Sequence, residues 1–513
     1  MSQVKVDALA PVGNLFLAVE DTETTKVLRI ALDLLERCPE IETRIGEDQD
    51  RLARRKKKLR LEQKEWEASA TPDLLHLALR DEIDADGLRL GPGRPRLPAD
   101  LVYVFLMLRG RHGSVTDLDA IERLRDSVTV QVYLRNRALK VPGATTILEN
   151  VNAVSNETRE FILDAQLGLI REKGLDDFTR LTVDSTAADA NSAWPTDAGM
   201  LYGLLSRAYH NLGRLALLGL PELKPWHCGK WQRQMKGLVF QINTAKGERQ
   251  RQKLYRQLLD RAGRMATYLT LQCQNVFRPA KAAAALAPRL GERLERLWER
   301  IERDLADAER VRQYTRARVL DGQSIPSTEK VLSLADAVAA FIQKGGREAV
   351  LGYKPQVGRS GNGFVSALIL EAGNPADAVE LVPMVLQSQA RTGVLPPRVI
   401  TDDGYTSSLG RECLLYLGVE EVVFSGAKGK KITPTADWEA AAGRQARNGR
   451  SAVESLIFTL KFVHEFGRLR RRGLEAVRAE MLEKVIAYNF RRMVQVRESQ
   501  AKAGQRQPAA QTA

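Results

Sequence analysis

Cysteine is scarce and scattered in this chain: Cys38, Cys228, Cys273 and Cys413 lie far apart, and no two form a CxxC pair. That spacing argues against a disulfide scaffold or a structural zinc site and points to a reducing compartment. His227–Cys228 is the one adjacency of the two residue types, and it lacks further ligands nearby. No apolar run approaches the roughly 20 residues needed to span a bilayer. The N-terminus also lacks the basic-then-apolar layout of a secretory signal, so a cytoplasmic location is expected. There is no GxGxxG after a strand and no GxxxxGK[ST] loop, which leaves hydride transfer and nucleotide hydrolysis without support.

Charge, by contrast, is plentiful and biased. Lysine and arginine (78) outnumber aspartate and glutamate (64), for a formal net charge of +14. An excess of this size favours a polyanionic partner, and nucleic acid is the commonest, because neutralising phosphates releases counterions. On charge alone, a basic protein without such a partner is the alternative. With 44% hydrophobic and 28% charged residues the chain reads as globular rather than disordered. At 513 residues it should hold two to four domains.

Along the chain, a helix is predicted over Thr25–Leu35, followed by a basic run from Arg51 to Arg60 that reads either as a solvated helix face or as a DNA-backbone contact. Gly91–Pro98 breaks any helix and reads as a linker, with a weak likeness to minor-groove hooks built on Gly-Arg-Pro. Residues 99–160 look helical: Leu101, Val104, Phe105 and Leu108 form a stripe, Ser114 or Thr116 can cap the next helix, and Pro142-Gly143-Ala144 restarts another. Short basic helices of this kind suit a helix-turn-helix-like reader. Thr179–Asp184 then reads as a strand, and residues 198–320 return to helix. Leu290, Leu294, Leu297, Ile301 and Leu305 form an apolar seam there, suited to packing or self-association. Further strands are predicted at Ala349–Leu351, Gly363–Leu370, Val399–Ile400 and Glu421–Phe424. Helices are predicted over Ala376–Ser388, Ser407–Leu417 and Val453–Val496.

Three acids stand in telling settings. Asp184 ends one predicted strand, Asp402 ends another before Asp403-Gly404-Tyr405, and Glu454 lies on a helix expected to begin near Asn448. Carboxylates at strand ends with one more on a helix can converge on divalent cations such as magnesium or manganese. A two-ion site of that type serves in-line phosphodiester displacement. A single acid at a strand end is usually a turn residue, so the surroundings must carry the weight.

Arg450, Glu454 and Lys461 have the spacing Arg-x3-Glu-x6-Lys, which resembles the Tyr-Arg-Glu-Lys signature of bacterial insertion-sequence transposases with a DDE triad. Val183-Asp184-Ser185-Thr186 with Trp194-Pro195-Thr196-Asp197 is similar to that family's first box, and Ile400-Thr401-Asp402-Asp403-Gly404-Tyr405 to its second. Ile325-Pro326-Ser327-Thr328-Glu329-Lys330 and Gly373-Asn374-Pro375-Ala376-Asp377 add to the likeness, which covers roughly residues 90–495. On the helix, Arg450 and Glu454 share a face, and Lys461 lies two turns further along it. The family pattern selects Asp402 over its neighbour Asp403. Asp189 and Asp197 also lie near the first box, and Asp197 is expected to cap the following helix. One position departs: Arg447 stands where the signature has tyrosine, a residue associated in the family with DNA phosphate near the cut. Arginine can replace a phosphate contact but not a stacking one.

The resemblance implies an α/β RNase H-like catalytic domain (166–200 and 321–496) interrupted by a long helical insertion (201–320). A helical, basic N-terminal region (1–90) and a helix-turn-helix-like DNA-binding domain (91–165) would precede it, and a disordered tail (497–513) would follow. Asp184, Asp402 and Glu454 would be the catalytic, metal-holding triad for two magnesium ions, with manganese substituting. Arg447, Arg450, Lys461, Lys428, Lys430 and Arg470 would contact DNA. Lys428 and Lys430 are expected in a loop, and Arg470 in the run Arg468–Arg472 after the catalytic helix. Trp194, Trp226, Trp231 and Trp298 suit core packing better than stacking on unpaired bases. The implied activity is cleavage at an insertion sequence's terminal repeats and joining to double-stranded target DNA. It would be carried out by a homodimer or larger assembly beside the bacterial nucleoid. The alternatives are an RNase H-like nuclease without strand transfer and a transposase-derived DNA-binding protein.

Overall fold

The computed structural model describes residues 23–69, 96–111, 121–122, 143–217, 229–285, 288–344 and 348–506. Most of the helix-turn-helix-like stretch (112–120 and 123–142), the linker residues 91–95, Trp226, the His227–Cys228 pair and residues 507–513 lie outside that set. The described residues fall into two compact units, one within Met1–Arg54, Arg89–Asn191 and Ala340–Ala513, the other within Arg55–Leu88 and Ser192–Ala339.

The first helix, α1 (Glu23–Arg37), buries Val27, Leu28, Ala31, Leu34 and Leu35, whose three- and four-residue steps give one apolar face. The basic run falls inside α2 (Glu40–Ser69). Helices α3 (Ala99–Arg111), α4 (Ala144–Ala153) and α5 (Asn156–Glu172) follow. Ser155 opens α5 by accepting the Thr158 amide at 3.2 Å, an N-cap that satisfies one orphan donor. Strands β1 (Arg180–Ser185) and β2 (Ala188–Asp189) come next.

The second unit is helical. Helices α6 (Asp197–Leu217), α7 (Gly229–Thr244), α8 (Glu248–Ala285) and α9 (Pro288–Thr315) pack around one apolar core, and α9 runs into a π-helical turn at Arg316–Leu320. Leu294, Leu297 and Ile301 of the apolar seam are buried in that core with Leu204, Leu212, Leu258 and Met265. Leu294, Leu297 and Ile301, with Leu305 against them, are thus used for packing inside the unit.

The chain then returns to strands: β3 (Ala340–Ile342), β4 (Val350–Tyr353), β5 (Gln356–Ser360) and β6 (Val365–Ile369). Helix α10 (Asp377–Thr392), β7 (Arg398–Thr401), α11 (Ser408–Tyr416) and β8 (Glu421–Phe424) complete the sheet region. The main sheet is mixed, in the order β6-β5-β1-β7-β8: β1 is antiparallel to β5 and parallel to β7, and β7 is parallel to β8. A small second sheet has the order β2-β4-β3. Because side chains alternate across a strand, Leu181 and Val183 face α10 with Met384 and Val385, whereas Thr182 and Asp184 face the opposite side. Full burial of each such aliphatic side chain contributes about 1.5–3 kcal/mol.

After β8 come α12 (Ala427–Ile432), α13 (Thr435–Glu439), α14 (Ala441–Asn448), α15 (Ser451–Val463) and α16 (Leu474–Arg506). Two expectations change here. The helical block expected over Val453–Val496 is broken between His464 and Gly473, where Glu465 and Gly473 take positive φ and the chain pairs with Asp189 through the Gly467 carbonyl and Leu469 amide. At the other end α16 continues to Arg506, through the start of the stretch expected to be disordered. Helices α1, α3 and α5 pack against α16, within the same unit as the sheet. That grouping differs from the sequence division at residues 90 and 165.

Candidate active site

The centre of the main sheet sets two acids side by side. Strands β1 and β7 are parallel neighbours with Thr182 opposite Ile400, so Asp184 and Asp402 emerge together at their carboxyl ends. Asp184 is 8% exposed. Burial pushes its carboxyl above the usual aspartate range; the Lys344 ammonium opposes that shift, and the negative charge of Asp402 adds to it. Lys344 Nζ lies 3.5 Å from Asp184 Oδ1, and Arg450 Nη1 lies 3.6 Å from its Oδ2.

The two acids at the end of β7 are separated by their partners. Asp402 Oδ1 accepts the Gly404 amide at 2.9 Å, opening the single-turn 3-10 helix Asp403–Tyr405. Asp403 instead accepts the amides of Lys428 (3.0 Å) and Gly429 (2.9 Å), the first turn of α12. A Cβ on Gly426 would fall 2.1 Å from Asp403 Cγ, so only glycine lets that carboxylate reach the helix end. Asp403 thus holds the start of α12, while Asp402 holds the turn that follows β7.

Helix α15 supplies the third acid. It begins at Ser451, after α14 and a turn at Gly449–Arg450, rather than near Asn448. Glu454 is exposed and pairs with Arg450, which also faces Asp184. One guanidinium thus bridges the strand-end acid and the helix acid. Lys461 lies seven positions beyond Glu454, with its stem against Gly467.

Four neighbours were not singled out as site residues. Besides Lys344, they are Asp377, Gln356 and Tyr405. The Asp377 carboxylate, at the start of α10, lies 3.0 Å from Lys354 Nζ and accepts the Gln356 amide at 3.0 Å. Burial would raise its carboxyl, but hydrogen bonds from Gln356 and Lys354 help hold it below the usual range. Fully buried Tyr405 donates its hydroxyl to Gln356 Oε1. Burial first, then the charges of Asp377 and Asp184, push that phenol well above its ordinary value, so it stays a proton donor. Asp377 and Tyr405 fall within the stretches Gly373–Asp377 and Ile400–Tyr405 that carry the family likeness, but nothing local marks Lys344 or Gln356, which sequence-distant folding brings in.

The remaining candidates divide. Lys428 and Lys430 are exposed, on the short helix α12 rather than in a loop. Sequence reading missed this helix because its amides are met by Asp403, far back in the chain. Arg447 is half-buried, donates to the Trp438 carbonyl at 2.7 Å and stacks over the Trp438 ring at 4.0 Å. Arg470 pairs with Glu465 at 3.3 Å, and Arg471 with Glu483 at 3.0 Å. At the start of α6 the capping oxygen is that of Thr196, which accepts the Gly199 amide at 3.1 Å; Asp197 pairs with Arg318 at 2.6 Å instead. Trp194 is exposed, and Trp231 packs edge-on against Tyr268.

Among the described residues no three carboxylate, imidazole or thiol side chains stand together as a ready metal cluster. The donor chemistry nevertheless fits a hard cation. Two carboxylates share the strand ends, and one of them is held above its ordinary range partly by the other's charge, an imbalance that a cation relieves. Arg450 meets part of that demand at Asp184 and Glu454.

Residues 314–490 match the family model described as the transposase DDE domain. No curated protein and no solved structure matches the chain. Among the described residues no helix is long and apolar enough to cross a membrane.

Proposed function

We propose, from the match of residues 314–490 to the transposase DDE domain, that this chain cuts the ends of an insertion sequence and joins them to target DNA. The observation that carries the reading is the meeting of Asp184 and Asp402 at the ends of neighbouring parallel strands, with Glu454 tied to Asp184 through Arg450. The mixed sheet β6-β5-β1-β7-β8 supports an RNase H-like catalytic fold, and α6–α9 a helical insertion into it.

Asp184 and Asp402 would hold magnesium or manganese, with Glu454 joining them. When bound, such ions activate the attacking hydroxyl and neutralise charge on the reacting phosphate. The chain's own residues do the rest. Arg450, two-handed between Asp184 and Glu454, can turn its fork to a phosphate oxygen and leave Glu454 free. Lys461 follows on the same helix and adds a second cation. Lys428 and Lys430 on α12, and Arg470 beyond α15, bind the DNA backbone. Arg447 acts indirectly, by fixing Trp438 beneath the helix that precedes Arg450. In the first step water attacks a phosphodiester at the element end and the P–O3′ bond breaks, leaving a 5′-phosphate and a 3′-hydroxyl. In the second, that 3′-hydroxyl attacks a target phosphodiester and displaces a new 3′-hydroxyl. Two ends must be held together, so two or more copies act on one pair of ends.

The test is incubation of purified protein with magnesium, DNA carrying the element's terminal repeats, and a target duplex. Joined products are expected. Asp184→Asn, Asp402→Asn and Glu454→Gln should each lower cleavage on the order of a thousandfold while binding persists. Nicks without joined products would favour a nuclease, and binding without either a DNA-binding derivative.

A further inference from the structure

Behind the catalytic helix lies a second basic feature that the acids do not use. A cleft of about 270 Å³ opens between α15 and α16, floored by Arg359 at the end of β5 and by Gly363 in the turn before β6. Ser455 and Thr459 line it from α15 and Arg491 and Arg492 from α16, and among the described residues none that lines it is acidic.

The arginines converge. A Cβ on Gly363 would lie 3.0 Å from Arg492 Nε and 3.2 Å from Arg359 Nη2, so both guanidiniums lean over one backbone position. Gly363 has φ +91°, a left-handed conformation that glycine takes without strain. Among the described residues, the guanidiniums of Arg359 and Arg492 donate to carbonyl or amide oxygens only. Arg359 Nη1 donates to the carbonyls of Ser360 (2.9 Å) and Gly361 (3.3 Å). Arg492 Nε donates to the Asn362 carbonyl (2.7 Å) and its Nη1 to Gln495 Oε1 (3.3 Å). Arg491 is matched by Glu23 at 2.6 Å. The acid that acts on Arg359, Asp176, spends its oxygens on the Phe178 and Asn362 amides and the Ser360 hydroxyl.

Two half-buried cations anchored side by side without a carboxylate are mutually repulsive. Burial, and then the charges of Arg492 and Arg180, lower the affinity of Arg359 for its proton, with Tyr488 and Asp176 opposing. Holding them in that arrangement makes physical sense if an anion with several oxygens enters between them. Two planar forks match the oxygens of a phosphate better than the flat carboxylate of a side chain, whereas the Ser455 and Thr459 hydroxyls donate to the Ser451 and Ser455 carbonyls of their own helix.

We propose that this cleft is a phosphate-binding site, separate from the acid cluster, in which Arg359 and Arg492 clasp one phosphate group. Ser455, which lines it, directly follows Glu454. A strand held there is therefore fixed against the back of the helix that carries the third acid. The phosphate has two sources, a DNA backbone or a free phosphate ion, and binding measurements distinguish them.

The experiment uses the full chain without divalent metal, so that its reading does not depend on whether the chain cuts DNA. Unfolding temperature is followed with added inorganic phosphate at constant ionic strength, and duplex affinity is followed against salt. For a backbone phosphate, Arg492→Gln should lower the slope of log affinity against log salt by about one. Inorganic phosphate should raise the unfolding temperature of the wild type and not of the variant. Arg359→Lys, which keeps the charge but loses the fork, should show an intermediate phosphate response and guards against misfolding of a neutral Arg359 variant. A phosphate response lost in Arg492→Gln with an unchanged DNA slope supports the site and assigns it to free phosphate. An identical response of wild type and both variants to phosphate and to DNA overturns it.

Discussion

Asp402 and Asp403 are neighbours in sequence, but their carboxylates have different partners: the Gly404 amide for one, the start of α12 for the other. Removing each should therefore have opposite signatures. Asp403→Ala uncaps α12 and should cost about 1 kcal/mol, seen as a fall of about 2–4 °C in unfolding temperature for a domain of this size. Cleavage should persist, with DNA binding weakened because Lys428 and Lys430 lose their platform. Asp402→Ala loses one capping bond but also relieves the repulsion between Asp402 and Asp184, so the unfolding temperature should stay closer to wild type while cleavage is abolished. Paired melting and cleavage assays on the two variants check this, and equal loss of cleavage in both would assign Asp403 to the chemistry as well. At this scale the sequence carried much: a strand-end acid before Gly-Tyr can be read locally. It did not show Lys344 or Gln356 beside those acids, since their positions depend on pairing between segments far apart in the chain.

Elements were legible where their own residues decide them. The stripe in α1 and the apolar runs in β1, β7 and β8 bury the faces their periodicity implies. Strand β5 was not, because Gln-Val-Gly-Arg-Ser has little apolar character and becomes a strand only between β1 and β6. The break between α15 and α16 was also missed; it is made by pairing with Asp189 rather than by a local stop signal. Helix α16 illustrates the cost of such long-range organisation. Its buried Glu483 receives Arg109 at 2.5 Å, Arg159 at 2.7 Å and Arg471 at 3.0 Å, joining α3, α5 and the segment before α16. Burial alone would raise this carboxyl, but the three guanidiniums, Arg109 foremost, hold it far below the usual glutamate range. A depressed acid stabilises the fold above its unfolded value and loses that contribution as pH falls through and below the ordinary glutamate range. Glu483→Gln should cost about 3–5 kcal/mol at neutral pH, since it strands buried cations. It should also flatten the acid limb of the stability curve. Chemical denaturation across pH 3–7 (a window of roughly that span) reads both, and a variant with an unchanged acid limb would remove Glu483 from that role.

For the molecule as a whole, the excess of 14 positive charges and the two DNA ends that the proposed reaction would need point to one behaviour. Free chains carrying that charge repel one another at low salt, and a polyanion removes the repulsion by neutralising both partners at once. Assembly should therefore follow DNA rather than precede it. Asp402→Asn, which should bind without cutting, is the suitable form for weighing complexes by light scattering at low and moderate salt. Alone it should run as a smaller species at low salt. With duplexes carrying terminal repeats it should form complexes holding at least two chains and two ends. Raising salt should dissolve them by stripping the phosphate contacts. If one chain on one end is the only complex found under conditions where wild-type protein joins ends to target, then pairing of ends is not how this protein works, and a single copy carries out both steps.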